Sequence, residues 1–125
     1  MSIRFVTRTI HAYIDYPVAA SLIGAPFLLG LGQTNPLALW LSVVTGVAAL
    51  LLTLLTDHET GLLRVLPYAF HVWVDRLVGV AFVAAPFLLS FTGLDAIYYL
   101  ANGVTVLLVT FVLNAKETDG LLAAV

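Results

Sequence analysis

Between Asp15 and Asp57 the chain runs for 41 residues without an Asp, Glu, Lys or Arg. A bilayer-crossing helix needs roughly 17–25 apolar residues, so a run of this length holds two crossings. Residues 77–94 and 96–115 are equally free of charge and hold one each. In lipid every backbone polar group must be satisfied within the segment itself, which selects helices. The expected fold class is therefore all-α integral membrane, with four transmembrane helices at about 13–31, 36–56, 68–91 and 95–114. Composition agrees: 10% of the 125 residues are charged and 62% hydrophobic, where a soluble domain carries about 25% charged residues. Residues 1–125 read as a single membrane domain.

The breaks between spans have their own chemistry. "GLGQTNP" (30–36) separates the first two, with Asn35 placed to cap and Pro36 to open a helix. "DHETGLLRVLP" (57–67) links the halves, and Pro67 is set to start the third helix. Asp95 is positioned to cap the fourth and Asn114 to close it. All five basic residues, Arg4, Arg8, Arg64, Arg76 and Lys116, fall on the side of the N-terminus, the central link and the C-terminus. Lys and Arg favour cytoplasmic loops, so both termini are expected in the cytoplasm, N-in/C-in, in a bacterial inner membrane. Tyr13, Tyr16, Tyr68 and Trp73 would form one aromatic belt, and Trp40, Tyr98 and Tyr99 the other. The N-terminal segment lacks a small-residue cleavage site after a short apolar core and reads as retained.

The chain repeats itself. "HAYIDYPVAASLIGAPFLL" (11–29) and "HVWVDRLVGVAFVAAPFLL" (71–89) share eight of 19 positions, and Arg4 matches Arg64 at the same offset of 60. "TGVAALLLTLL" (45–55) aligns with "NGVTVLLVTFV" (102–112), and "ETGLL" with "ETDGLL". Two repeats follow, about 3–60 and about 63–119. Each holds two spans, so both insert the same way up, related by an axis along the membrane normal.

The two-helix unit, the Pro-aromatic motif late in each first helix and the link "LLTDHETGLLRVLP" resemble the SPW-repeat family of small integral membrane proteins. The Ser-Pro-Trp motif is replaced here by Ala25-Pro26-Phe27 and Ala85-Pro86-Phe87. The resemblance implies a small membrane repeat protein and assigns no activity.

Candidate functional residues are few. On a helix over 3–15, Arg4, Arg8, His11 and Asp15 fall in one stripe, opposite Ile3, Val6, Ile10, Tyr13 and Ile14. An amphipathic segment of this kind lies in the headgroup region, with Arg4, Arg8, Arg64 and Arg76 as interface anchors. His11–Asp15 and His71–Asp75 are i, i+4 pairs in which each carboxylate can orient its imidazole. His11 and His71 could thus hold a cofactor, either a haem between them or a chlorophyll-type magnesium on one, with Asp15 and Asp75 as their supports. Asp15 and Asp75 are costly at the hydrocarbon edge, and with Pro26 and Pro86 on the same face they could instead form a polar track for a proton or small solute. The two prolines are expected to kink their helices. Thr45 and Asn102, beside Gly46 and Gly103, are expected at interhelical hydrogen bonds. His58 reads as solvated in the polar link. With no cysteine and no catalytic constellation or metal motif, the expected role is non-catalytic and cofactor-free. That role is an accessory or scaffolding subunit, packed against a membrane partner or a second copy and binding no nucleic acid.

Overall fold

The structure is a computed structural model and describes residues 2–123. Helix α1 spans Arg8–Leu28, α2 Leu37–Leu55, α3 Tyr68–Leu88 and α4 Gly93–Leu107. A π-helical turn, Leu108–Val112, extends α4, and a short α5 follows at Lys116–Ala123. No strand occurs among the described residues. Three helical stretches, Leu37–Leu55, Tyr68–Leu88 and Gly93–Val112, are long and apolar enough to cross a membrane. α1 is as long as α3, but its first half carries Arg8, His11, Asp15 and Tyr16. Around the outside, Leu28, Leu51, Leu77, Phe87, Leu88 and Ile97 are exposed. A soluble protein rarely shows so continuous an apolar exterior; this is an integral membrane protein.

α1 packs on α2, and α3 on α4, through the small residues noted above. A Cβ on Gly46 would stand 2.7 Å from Ile23 Cγ1, and one on Gly103 would stand 2.8 Å from the Gly79 carbonyl and the Val83 nitrogen. The backbones therefore meet only because both positions lack a side chain. Between the pairs the contacts lie at the two ends. Leu22, Leu31 and Ala38 meet Phe82, Phe91 and Tyr99 near the short loops. At the opposite end His11 of α1 meets Tyr68 and His71 of α3, while within the second half Leu122 of α5 packs on Tyr68, Ala69 and Val72.

Several expectations need correction. The amphipathic helix over 3–15 starts only at Arg8, where Thr7 caps it by accepting from the Ile10 N–H at 3.2 Å. Residues before it are not helical, and Val6 bridges Asn114, as Leu66 bridges Thr56 in the link. Pro26 and Pro86 stand two residues from the ends of α1 and α3, so each closes its helix rather than kinking it midway. The Leu22 carbonyl that Pro26 deprives of a partner accepts instead from Ser42 Oγ at 2.8 Å. Asp95 does not cap α4; it accepts from the Gly32 N–H of the facing loop at 3.1 Å. Asn35 does act at its helix start, through the Leu37 N–H at 3.1 Å. Thr45 and Asn102 bond the Leu41 and Tyr98 carbonyls of their own helices. Of the supposed belts, Tyr13, Trp40 and Trp73 are exposed, whereas Tyr68, Tyr98 and Tyr99 are buried.

Candidate functional site

The i, i+4 spacing puts each His and its Asp on one helix face, and the helix pairing turns those two faces toward each other. His11 Nε2 lies 3.1 Å from Asp15 Oδ1 and 2.9 Å from Asp75 Oδ2. His71 Nε2 lies 3.3 Å from Asp75 Oδ2 and 3.3 Å from Asp15 Oδ2. Each imidazole thus faces both carboxylates, its own and that of the other half. One ligand atom from each of the four residues falls within a sphere of contacts no longer than 4.8 Å. Both histidines are buried, at 2% and 1% exposure.

His58 joins them, contrary to its expected solvation. It is 1% exposed, and its Nε2 stands 3.3 Å from Asp15 Oδ2. The link folds back over the site to place it there. Tyr16 Oη donates to the Thr60 carbonyl at 2.6 Å, and Thr60 Oγ1 donates to the Ala12 carbonyl at 2.9 Å. Gly61 permits the fold: a Cβ there would stand 1.9 Å from the Thr56 carbonyl oxygen. Arg8 clamps Glu59 at 3.3 Å. Partial burial works to raise the Glu59 pKa, but a backbone hydrogen bond and Arg8 outweigh it and hold the carboxyl below its usual range. No spacing rule marks His58. Its only sequence signal is an unusual place for a His, three residues after α2 ends at Leu55.

Thr56 fixes the chemistry of His71. Its hydroxyl donates to the Leu52 carbonyl at 2.6 Å and lies 2.7 Å from His71 Nδ1. A hydroxyl has one proton, so toward His71 it must accept. The Nδ1 of His71 therefore carries a hydrogen. Tyr68 packs edge-on to His11, ring centroids 5.7 Å apart, with a buried Oη that has no protein partner. The His11 Nδ1 is buried and unpartnered as well.

The cluster closes one end of a cavity of about 460 Å³ between the two helix pairs. Leu22, Val44, Leu52, Val74, Val78 and Val106 supply much of its wall. Four threonines also line it, but Thr45, Thr53, Thr105 and Thr110 each donate to a carbonyl of their own helix. Beyond Asp15 and Asp75 the wall is thus effectively apolar, and no continuous polar track leads on toward the prolines. A haem plane between His11 and His71 does not fit either. Their Nε2 atoms face shared carboxylates, and the rings meet edge to face with centroids 5.5 Å apart.

Of the four arginines, Arg4 pairs with Asp119 and donates to the Asn114 carbonyl at 2.7 Å. Arg64 holds the Gly61 and Glu59 carbonyls of the link, both at 3.2 Å. Arg76 is no interface anchor: it is buried, stacked 4.0 Å from the Phe111 ring centroid, and donates to the Thr110 carbonyl at 2.5 Å. The π-helical turn, by departing from the α-helical bonding pattern, leaves that carbonyl within its reach.

The model of the SPW repeat domain matches residues 8–117, a span that includes both His–Asp pairs, His58 and the Pro-aromatic motifs. The chain belongs to the SPW repeat family. No curated protein and no solved structure matches it, so the family assignment brings no activity with it.

Proposed function

We propose that this SPW repeat protein is a non-catalytic, ligand-binding membrane protein that holds a small lipid-soluble molecule between two parallel two-helix repeats. In this reading all of α1 to α4 cross a bacterial inner membrane with both termini in the cytoplasm. The His–Asp cluster then sits at the cytoplasmic edge. One observation carries the reading: an apolar cavity of about 460 Å³, within the ligand-pocket range of roughly 300–1,000 Å³, meets charged side chains at one end only. An occupant would lay its apolar body along the valines and leucines and turn its polar end to the cluster.

The test is mass spectrometry of molecules released from protein extracted gently from its own membrane. A small amphiphile is expected with the wild type and not with Ala49→Phe, which fills the cavity without touching the cluster. Wild type and variant releasing the same bulk lipids would contradict the proposal. An accessory role beside a larger membrane protein, or in a homo-oligomer, is the second reading. It is favoured by the shortness of links 29–36, 56–67 and 89–92, which offer little surface for a soluble domain. Co-release of one larger protein in the same experiment would support it.

A further inference from the structure

The cluster poses a question of charge. Thr56 requires a hydrogen on His71 Nδ1, so in the neutral imidazole the Nε2 presents a lone pair. That lone pair points at Asp75 Oδ2 and Asp15 Oδ2, both at 3.3 Å. Carboxylates only accept, so lone pair would face lone pair at a buried position, which is untenable without a cation between them. The cation is either a proton on Nε2 or a metal ion shared by all four side chains. At His71 distance favours the metal. Charge-assisted N–H···O bonds run about 2.7–2.9 Å; His11 Nε2 meets Asp75 Oδ2 at the top of that range, at 2.9 Å, whereas both His71 contacts are longer. With metal bonds of about 2.0–2.1 Å, tetrahedral donors stand about 3.3–3.4 Å apart. The four imidazole-to-carboxylate distances, 2.9, 3.1, 3.3 and 3.3 Å, lie at or a few tenths below that edge, and all four ligand atoms lie within 4.8 Å of one another, so a bound ion would draw the widest-spaced donors inward.

We infer that His11, Asp15, His71 and Asp75 form a binding site for one divalent transition-metal ion of the zinc or ferrous class. Two imidazole nitrogens and two carboxylate oxygens are a donor set that suits these ions. With two neutral imidazoles and two carboxylates, a divalent ion makes the buried site neutral overall, as a membrane edge demands. Thr56 is the outer support that fixes the His71 tautomer, and His58 is the outer group on Asp15, as such partners orient ligands elsewhere. The side toward the cavity carries no further donor from this chain. The metal deepens the ligand-binding reading by giving an occupant's polar end something to coordinate, but it does not require that an occupant exist.

The experiment is a titration of chelator-stripped, tag-free protein in detergent with Co²⁺ alone, read by visible absorption. The expected result is intense d–d bands saturating at one ion per chain, displaced by Zn²⁺, and absent in His71→Ala and Asp75→Asn. Because those variants could fail to fold, Thr56→Val serves as the second. It keeps all four donors, and its affinity is expected to fall by about 10–100-fold at unchanged helix content by circular dichroism. Absence of bands in the wild type, or equal bands in wild type, His71→Ala and Asp75→Asn, would overturn the proposal, as would unchanged affinity in Thr56→Val. Ala49→Phe separates the two claims. It should keep the cobalt bands while losing any amphiphile, so the metal site and the cavity ligand stand or fall independently.

Discussion

Ser42 shows what a single hydroxyl does in this chain. It donates to the Leu22 carbonyl that Pro26 leaves without a partner, and it meets Tyr98 Oη at 2.6 Å. Both partners are buried, so Ser42→Ala leaves the Leu22 carbonyl and the Tyr98 hydroxyl short of a bond. The expected cost is about 1–3 kcal/mol, read as a lower melting temperature in detergent. Gly61→Ala should act differently. A Cβ would collide with the Thr56 carbonyl, so the link must lift, and His58 should then become reactive to a histidine-modifying reagent that leaves the wild-type residue untouched. At this scale the sequence was only partly readable. The two His–Asp pairs announced themselves by spacing and repetition. That each imidazole would face the carboxylate of the other half depends on helix pairing, which spacing within one helix cannot encode. His58 was hidden because a polar link gives no sign of which way it folds.

At the scale of elements, the positions of α1 to α4 were legible because charge-free runs and Pro-Gly punctuation set where a helix can cross and where it must stop. Their ends were less so. Pro26 and Pro86 end α1 and α3 a few residues earlier than apolarity suggests, and the π-helical turn and α5 have no marker in the charge pattern. Gly46 and Gly103 are where the helices of each pair come closest, and they make a paired prediction. Gly46→Ala and Gly103→Ala should each destabilise by about 1–3 kcal/mol, because the new Cβ would press on the backbone of the neighbouring helix as well as its side chains. Equal, negligible shifts in thermal unfolding would show that the helices can move apart freely. Alanine at Gly120, where a Cβ meets nothing within 4 Å, is the control and should change little.

The whole molecule is two helix pairs joined at their ends by opposite kinds of packing, aromatic and apolar near the short loops, charged beneath the link, with an apolar cavity between. Its proposed orientation follows from the five basic residues and is directly testable, since none of these 125 residues is a cysteine. Gln33→Cys should react with a membrane-impermeant maleimide added outside intact cells, and Asp57→Cys only after lysis; the reverse pattern would invert the topology. The central claim is that the four side chains from the two halves exist to hold an ion. It is tested most directly by anomalous X-ray diffraction, at a metal absorption edge, from crystals of protein taken from its own membrane. A metal centre gives one peak about 2 Å from both imidazole Nε2 atoms and both carboxylates. Well-ordered His11 and His71 bonded to Asp15 and Asp75, with no anomalous peak among them, would contradict it.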